Sequence, residues 1–93
     1  MPNFTLTDGQ KQEVDLGNSN TLTITTLNAT AAQIYIDYKT NGNYSSAIKG
    51  SAGYSNPINL AGNTTKVVQK SDLESEHVRV GVTGENSSVK FTY

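Results

Sequence analysis

The amino-acid sequence predicts an all-β fold, a single antiparallel β-sandwich spanning residues 1–93. It is expected to contain about 8 short strands in a jelly-roll or immunoglobulin-like winding. Three observations predict it. Apolar residues recur at every second position almost throughout, the pattern of half-buried strands. The alternating runs are rich in Val, Ile, Thr and Tyr, whose branched or aromatic side chains fit a pleated surface. Gly beside Asn or Asp punctuates the runs, and no window carries a helical period.

The elements follow in order. "NFTLT" sets Phe4 and Leu6 on one face, and "QEVDLG" does the same with Val14 and Leu16. "TLTITT" turns Leu22 and Ile24 one way and Thr21, Thr23 and Thr25 the other. "QIYIDYK" divides Ile34, Ile36 and Tyr38 from Tyr35, Asp37 and Lys39. Weaker runs follow: Ile58 and Leu60 in "NPINLAG", then a short strand around Val67 in "TKVVQK". "HVRVGVTG" directs Val78, Val80 and Val82 inward, and "SVKFTY" aligns Val89, Phe91 and Tyr93. Turns at 7–10, 17–20, 40–43, 61–64 and 83–86 each combine Gly with Asn or Asp. In "QKSDLESEH", 69–77, Ser71 and Glu74 have capping-box spacing, but the stretch is too short for more than one turn. It reads as a connection with Leu73 tucked under the sandwich.

Composition bounds the function. A chain of 93 residues that is 34% hydrophobic supports one modest core. Seven scattered Lys and Arg leave a net charge of −1, which argues against a nucleic-acid partner and against a basic membrane-surface helix. The absence of Cys excludes a disulfide framework, a thiol nucleophile and a Cys-based zinc site. No apolar run approaches the ~18 residues of a transmembrane segment, and no charged-then-apolar leader follows Met1. The chain is therefore expected to be soluble, and as a binding sandwich to act secreted or at the cell surface. Ten Asn among 21 Ser and Thr create five glycosylation sequons, at Asn3, Asn28, Asn43, Asn63 and Asn86. This composition generates such sequons without selection for glycans.

Chemistry is sparse. The sole histidine, His77, has Ser75 and Asp72 nearby in sequence. An inward Val78, Val80 and Val82 puts His77 and Arg79 in solvent, where no buried acid orients a base. Phosphate loops and nucleophile elbows are absent. Asp72, Glu74 and Glu76 would point the same way if extended, and read as a solvated face that keeps an edge strand from pairing. No catalytic residue, metal or cofactor is assigned.

The stretch "TNGNYSSAIKGSAGYSNP", 40–57, carries the functional expectation. Asn41-Gly42 suits a two-residue type I′ turn, which pairs Lys39 with Tyr44, Ile36 with Ala47 and Tyr35 with Ile48. Tyr35, Tyr44 and Ile48 then gather on the outer face. A three-residue loop would slip the register by one and turn Tyr44 and Ile48 inward. Turn chemistry favours the first arrangement, core packing the second. Gly50, Ser51, Ala52 and Gly53 cannot pack a core, so Tyr54 stands out. Tyr with Asn, Ser and Gly is the composition of adaptable recognition surfaces. The candidate ligand-binding residues are Asn41, Asn43, Tyr44, Tyr54 and Asn56.

The expected function is a non-enzymatic binding module, a small lectin-like, carbohydrate-binding or cell-adhesion domain whose partner is a glycan or other cell-surface ligand. Homo-oligomers would give it several sites per particle. The alternative is a self-assembling structural protein, such as a phage or viral coat, spore-layer or filament subunit.

Overall fold

A computed structural model describes residues 2–93, in which nine strands follow one another. They are β1 (Asn3–Thr7), β2 (Lys11–Asp15), β3 (Thr21–Thr26), β4 (Ala32–Thr40), β5 (Asn43–Ser46), β6 (Ile58–Leu60), β7 (Thr65–Gln69), β8 (His77–Thr83) and β9 (Ser88–Thr92). Single 3-10 turns at Gly50–Ala52 and Lys70–Asp72 are the only helical pieces among the described residues. None is long and apolar enough to cross a membrane.

The pairings are nested. β4 pairs with β5 and β6, β3 with β7, β2 with β8, and β1 with β9, all antiparallel. The chain is thus one long two-stranded ribbon doubled back at Asn41-Gly42. The ribbon is rolled so that β9 also meets β3 and β8 also meets β4. Two sheets result, ordered β1-β9-β3-β7 and β2-β8-β4-β5, with β6 beside the other half of β4. This is the winding of a jelly roll. An immunoglobulin sheet would place the first strand beside the second; here it lies beside the last.

The period of two sorts the side chains as expected. Leu22, Ile24, Val68, Val89 and Phe91 from one sheet meet Ile34, Ile36, Val78, Val80 and Val82 from the other, all essentially inaccessible to water. Burying each such side chain contributes roughly 1.5–3 kcal/mol, which offsets the chain entropy lost on ordering. Phe4, at the sheet edge, stacks on Phe91 with ring centroids 5.2 Å apart. In β7 it is Val68 that enters the core, while Val67 is exposed. Lys66, opposite Ile24, occupies an inward position on this edge strand, and its Nζ sits 4.1 Å from the centre of the Tyr54 ring. An inward charge on an edge discourages pairing with another chain.

The hairpin takes the tight-turn register. Asn41 and Gly42 both have positive φ, 52° and 83°, as a type I′ turn requires, and Lys39 pairs with Tyr44. The extension of that register to Ile48 fails. Pairing with β4 ends at Ala47, whose N–H donates to the Ile36 carbonyl at 2.9 Å. The chain then leaves the sheet, and Ile48 bridges to Leu73 and is buried beneath it. The demand of the core for Ile48 is met by departure from the strand, not by a slipped register. The hairpin's return strand, β5, stands beside the eight alternating runs and brings the strands to nine.

Candidate functional site

The two outer faces differ in chemistry. The outer positions of β1, β9, β3 and β7 are mostly threonine, among them Thr5, Thr21, Thr23, Thr25, Thr65 and Thr92, with Lys90 the one charge. The outer face of β2, β8, β4 and β5 is charged and aromatic. Register fixes its grid. One row holds Lys11, Gly81 and Tyr35 side by side. The next holds Glu13, Arg79, Asp37 and Ser46. The rows beyond are Thr83 beside Gln33 on one side, and Asp15 beside His77 on the other.

Gly81 creates the site. It lies mid-strand in β8, next to both β2 and β4, at an outward position where every neighbour carries a side chain. Its missing side chain makes room for the Lys11 stem, whose Cγ would lie 3.2 Å from a Cβ at Gly81, beside a hollow of ≈ 200 Å³ lined by Gly9, Lys11, Tyr35, Asp37, Arg79, Val82 and Thr83. A glycine inside a strand often marks a place where a ligand approaches the backbone. Gly81 does not have a positive φ, so the conformation itself does not require glycine. The wall at the β1–β2 loop is fixed by backbone bonds from Gly9 N–H to Val82 O, 2.8 Å, and from Val82 N–H to Gln10 O, 3.1 Å. Thr83 donates to Gln33 Oε1 at 3.1 Å.

Arg79 is positioned by Tyr44. The Tyr44 ring lies 3.5 Å from the guanidinium carbon, and its hydroxyl donates to Glu13. That bond to an anion raises the Tyr44 pKa above its usual value. A stacked guanidinium keeps its planar fork free for another partner. Among the described residues the one ion pair is His77 Nδ1 with Asp15 Oδ1 at 3.7 Å, so Arg79 and Lys11 have no carboxylate at salt-bridge distance.

The sequence-expected residues divide. Asn41, Asn43 and Tyr44 lie together on the β4–β5 hairpin, and all three are exposed. Tyr44 joins the charged face. Tyr54 lies elsewhere: it packs against the core edge, donates to Asp72 Oδ2 at 3.2 Å, and lines a more open hollow with Ser55, Pro57 and Lys66. Burial and the Asp72 carboxylate push its pKa up to about 12. Asn56, which precedes a cis peptide bond to Pro57, spends its amide on the backbone of Ile36 and on Asp37. The structure does not bring Tyr54 and Asn56 together with the hairpin tip into one surface.

The acidic triplet also divides. Asp72 turns to Tyr54, whereas Glu76 joins Asp15 and His77 with possible ligand atoms within 4.8 Å of one another, all exposed. The 3-10 turn at Lys70–Asp72 breaks the extended geometry that would have aligned them. His77 is 70% exposed, with Ser75 accepting from its backbone N–H, so no triad forms.

The sequence sets Tyr35 and Tyr44 on one outer face but does not show that Gly81 and Lys11 adjoin them. Glycine in "HVRVGVTG" interrupts the outward positions His77, Arg79 and Thr83, and that interruption was the available signal. Comparison of the chain with protein families, curated proteins and solved structures finds no match.

Proposed function

We propose that the protein is a non-enzymatic binding module for carbohydrate, with the ligand seated over Gly81 on the outer face of the β2-β8-β4-β5 sheet. One observation carries this reading: a hollow beside Gly81 with an aromatic ring and three charged side chains in its lining. Sugar recognition uses those parts. A ring face accepts the C–H side of a pyranose, and charged groups bond its hydroxyls. The volume of ≈ 200 Å³ is below the ~300 Å³ of ordinary small-molecule sites, which suits one sugar residue of a longer chain. The hollow holds a single carboxylate, Asp37, whereas glycoside hydrolysis calls for two. The reading is one of binding without turnover, by a protein proposed to act outside the cell or on its surface.

A glycan array probed with the purified chain, with and without calcium, tests it. Selective binding that Gly81→Val abolishes in a folded protein supports the reading. A flat array, or binding indifferent to Gly81, overturns it.

A second reading, self-assembly, is favoured by the threonine face. It carries one charge, Lys90, and the exposed Val67 (47%), a surface that a second copy could cover at little desolvation cost. Sedimentation velocity across a concentration series tests this: assembly that Val67→Glu disperses supports it, and a monomer at every concentration removes it.

A further inference from the structure

The charge around Gly81 narrows the ligand class. Lys11 and Arg79 bring two positive charges to the lining against the single negative charge of Asp37, with Glu13 in the next position beside Arg79. Arg79 stacks on Tyr44, and neither it nor Lys11 is in salt-bridge contact with a carboxylate among the described residues. Glu13 and Asp37 flank Arg79 in register and are the natural candidates to neutralise it. Neither closes on Arg79 within salt-bridge distance: Glu13 accepts from the Tyr44 hydroxyl and Asp37 from the Asn56 amide at 2.8 Å, though both keep their negative charge. Arg79 and Lys11 therefore keep hydrogen-bond donors for an incoming anion, in competition with these two carboxylates. A guanidinium fork matches a planar carboxylate in two parallel hydrogen bonds.

We propose that the Gly81 hollow takes a carboxylate-bearing sugar, such as a uronic or sialic acid residue. Arg79 and Lys11 receive the carboxylate, and Tyr35 receives the ring. Tyr44 is a positioning residue in this scheme, holding Arg79 over the hollow without touching the sugar. The inference rests on the carbohydrate reading above and specifies its ligand.

Calorimetric titration of the full chain with three probes tests it: a trigalacturonate, sialyllactose and neutral lactose. At least one acidic probe is expected to bind ten times or more tighter than lactose, and to weaken as salt is raised. Arg79→Gln should reduce the preference for the acidic probes several-fold, and Arg79→Gln with Lys11→Gln should abolish it. Tyr44→Phe should retain the preference and Tyr44→Ala should reduce it. Because Gly81→Val could disturb folding, the shifts of the Gly81 and Arg79 amide resonances on titration locate the site independently. Equal binding of lactose and the acidic probes, with shifts at Gly81, overturns the acidic preference and leaves the carbohydrate reading standing. No binding of any saccharide overturns both. Acidic binding that Arg79→Gln leaves intact, or that shifts resonances elsewhere, overturns this placement.

Discussion

The side chain of Asn56 stands in for a strand residue opposite Ile36. Its Oδ1 accepts from the Ile36 N–H at 3.2 Å, and its Nδ2 donates to the Ile36 carbonyl at 2.9 Å. Ile36 lies between the stretch of β4 that pairs with β5 and the stretch that pairs with β6. Without Asn56 its N–H would face the sheet edge unpaired. Leaving a buried donor unsatisfied costs about 1–3 kcal/mol. Asn56→Ala is therefore expected to lose that much in urea melts, and to lower hydrogen-exchange protection at the Ile36 amide selectively. A neutral Asn56→Ala would show that water replaces the amide fully.

Gly62 marks a second point of close approach. A Cβ placed there would lie 2.2 Å from the carbonyl carbon and oxygen of Ala29, far inside contact distance. The loops at Asn28 and Asn63 are also joined by a backbone bond of 2.8 Å, so backbone must move to make room. Gly62→Ala is expected to cost about 1–3 kcal/mol or more. Gly50→Ala is the control: nothing lies within 4 Å of its added Cβ, and its φ is ordinary. It should leave the melting curve within about 0.5 kcal/mol of the parent.

Tyr54 should make the protein sensitive to alkali. Its hydroxyl is half-buried beside Asp72, and its folded pKa of about 12 exceeds the usual 10.0. Folding thus favours the neutral phenol. The resulting stability is complete below pH 10, and is lost as pH rises from about 10 through about 12. Tyr54→Phe, which cannot ionise, should flatten the fall in stability across that window in urea melts taken at successive pH values. An identical fall in parent and variant would place the alkaline transition elsewhere.

The inward face is testable at its centre. Ile36 and Val80 are directly paired across β4 and β8, and both are fully buried. Ile36→Ala should cost about 2–5 kcal/mol, and Val80→Ala less because fewer methyl groups leave. Neutral substitutions at both positions would mean that the core lies on the other face.

The strands and their inward faces were legible because burial imposes a period of two, and Ile34, Ile36, Val78 and Val80 obey it. The Asn41-Gly42 turn was legible because its chemistry allows few conformations. The Gly81 hollow was not. Its walls, Lys11 and Tyr35, are neighbours only through the register of three strands distant in sequence. Asn56 reads as a loop residue until the gap beside Ile36 is known. Ile48 looked outward because alternation says where a side chain points within a strand, not where the strand ends.

The nested ribbon sets the order in which the protein can be made. Only β4 and β5 meet across a two-residue turn; β3 waits for β7, β2 for β8, and β1 for β9. On the ribosome, β1, β2 and β3 emerge well before β9, β8 and β7, the strands with which they pair. Until those arrive, their unpaired edges stay open to other chains. Non-local closure also slows refolding of the complete chain to the millisecond-to-second range of all-β sandwiches. Asn3 and Thr92, paired in the sheet, stand nearly the whole length of these residues apart in the chain.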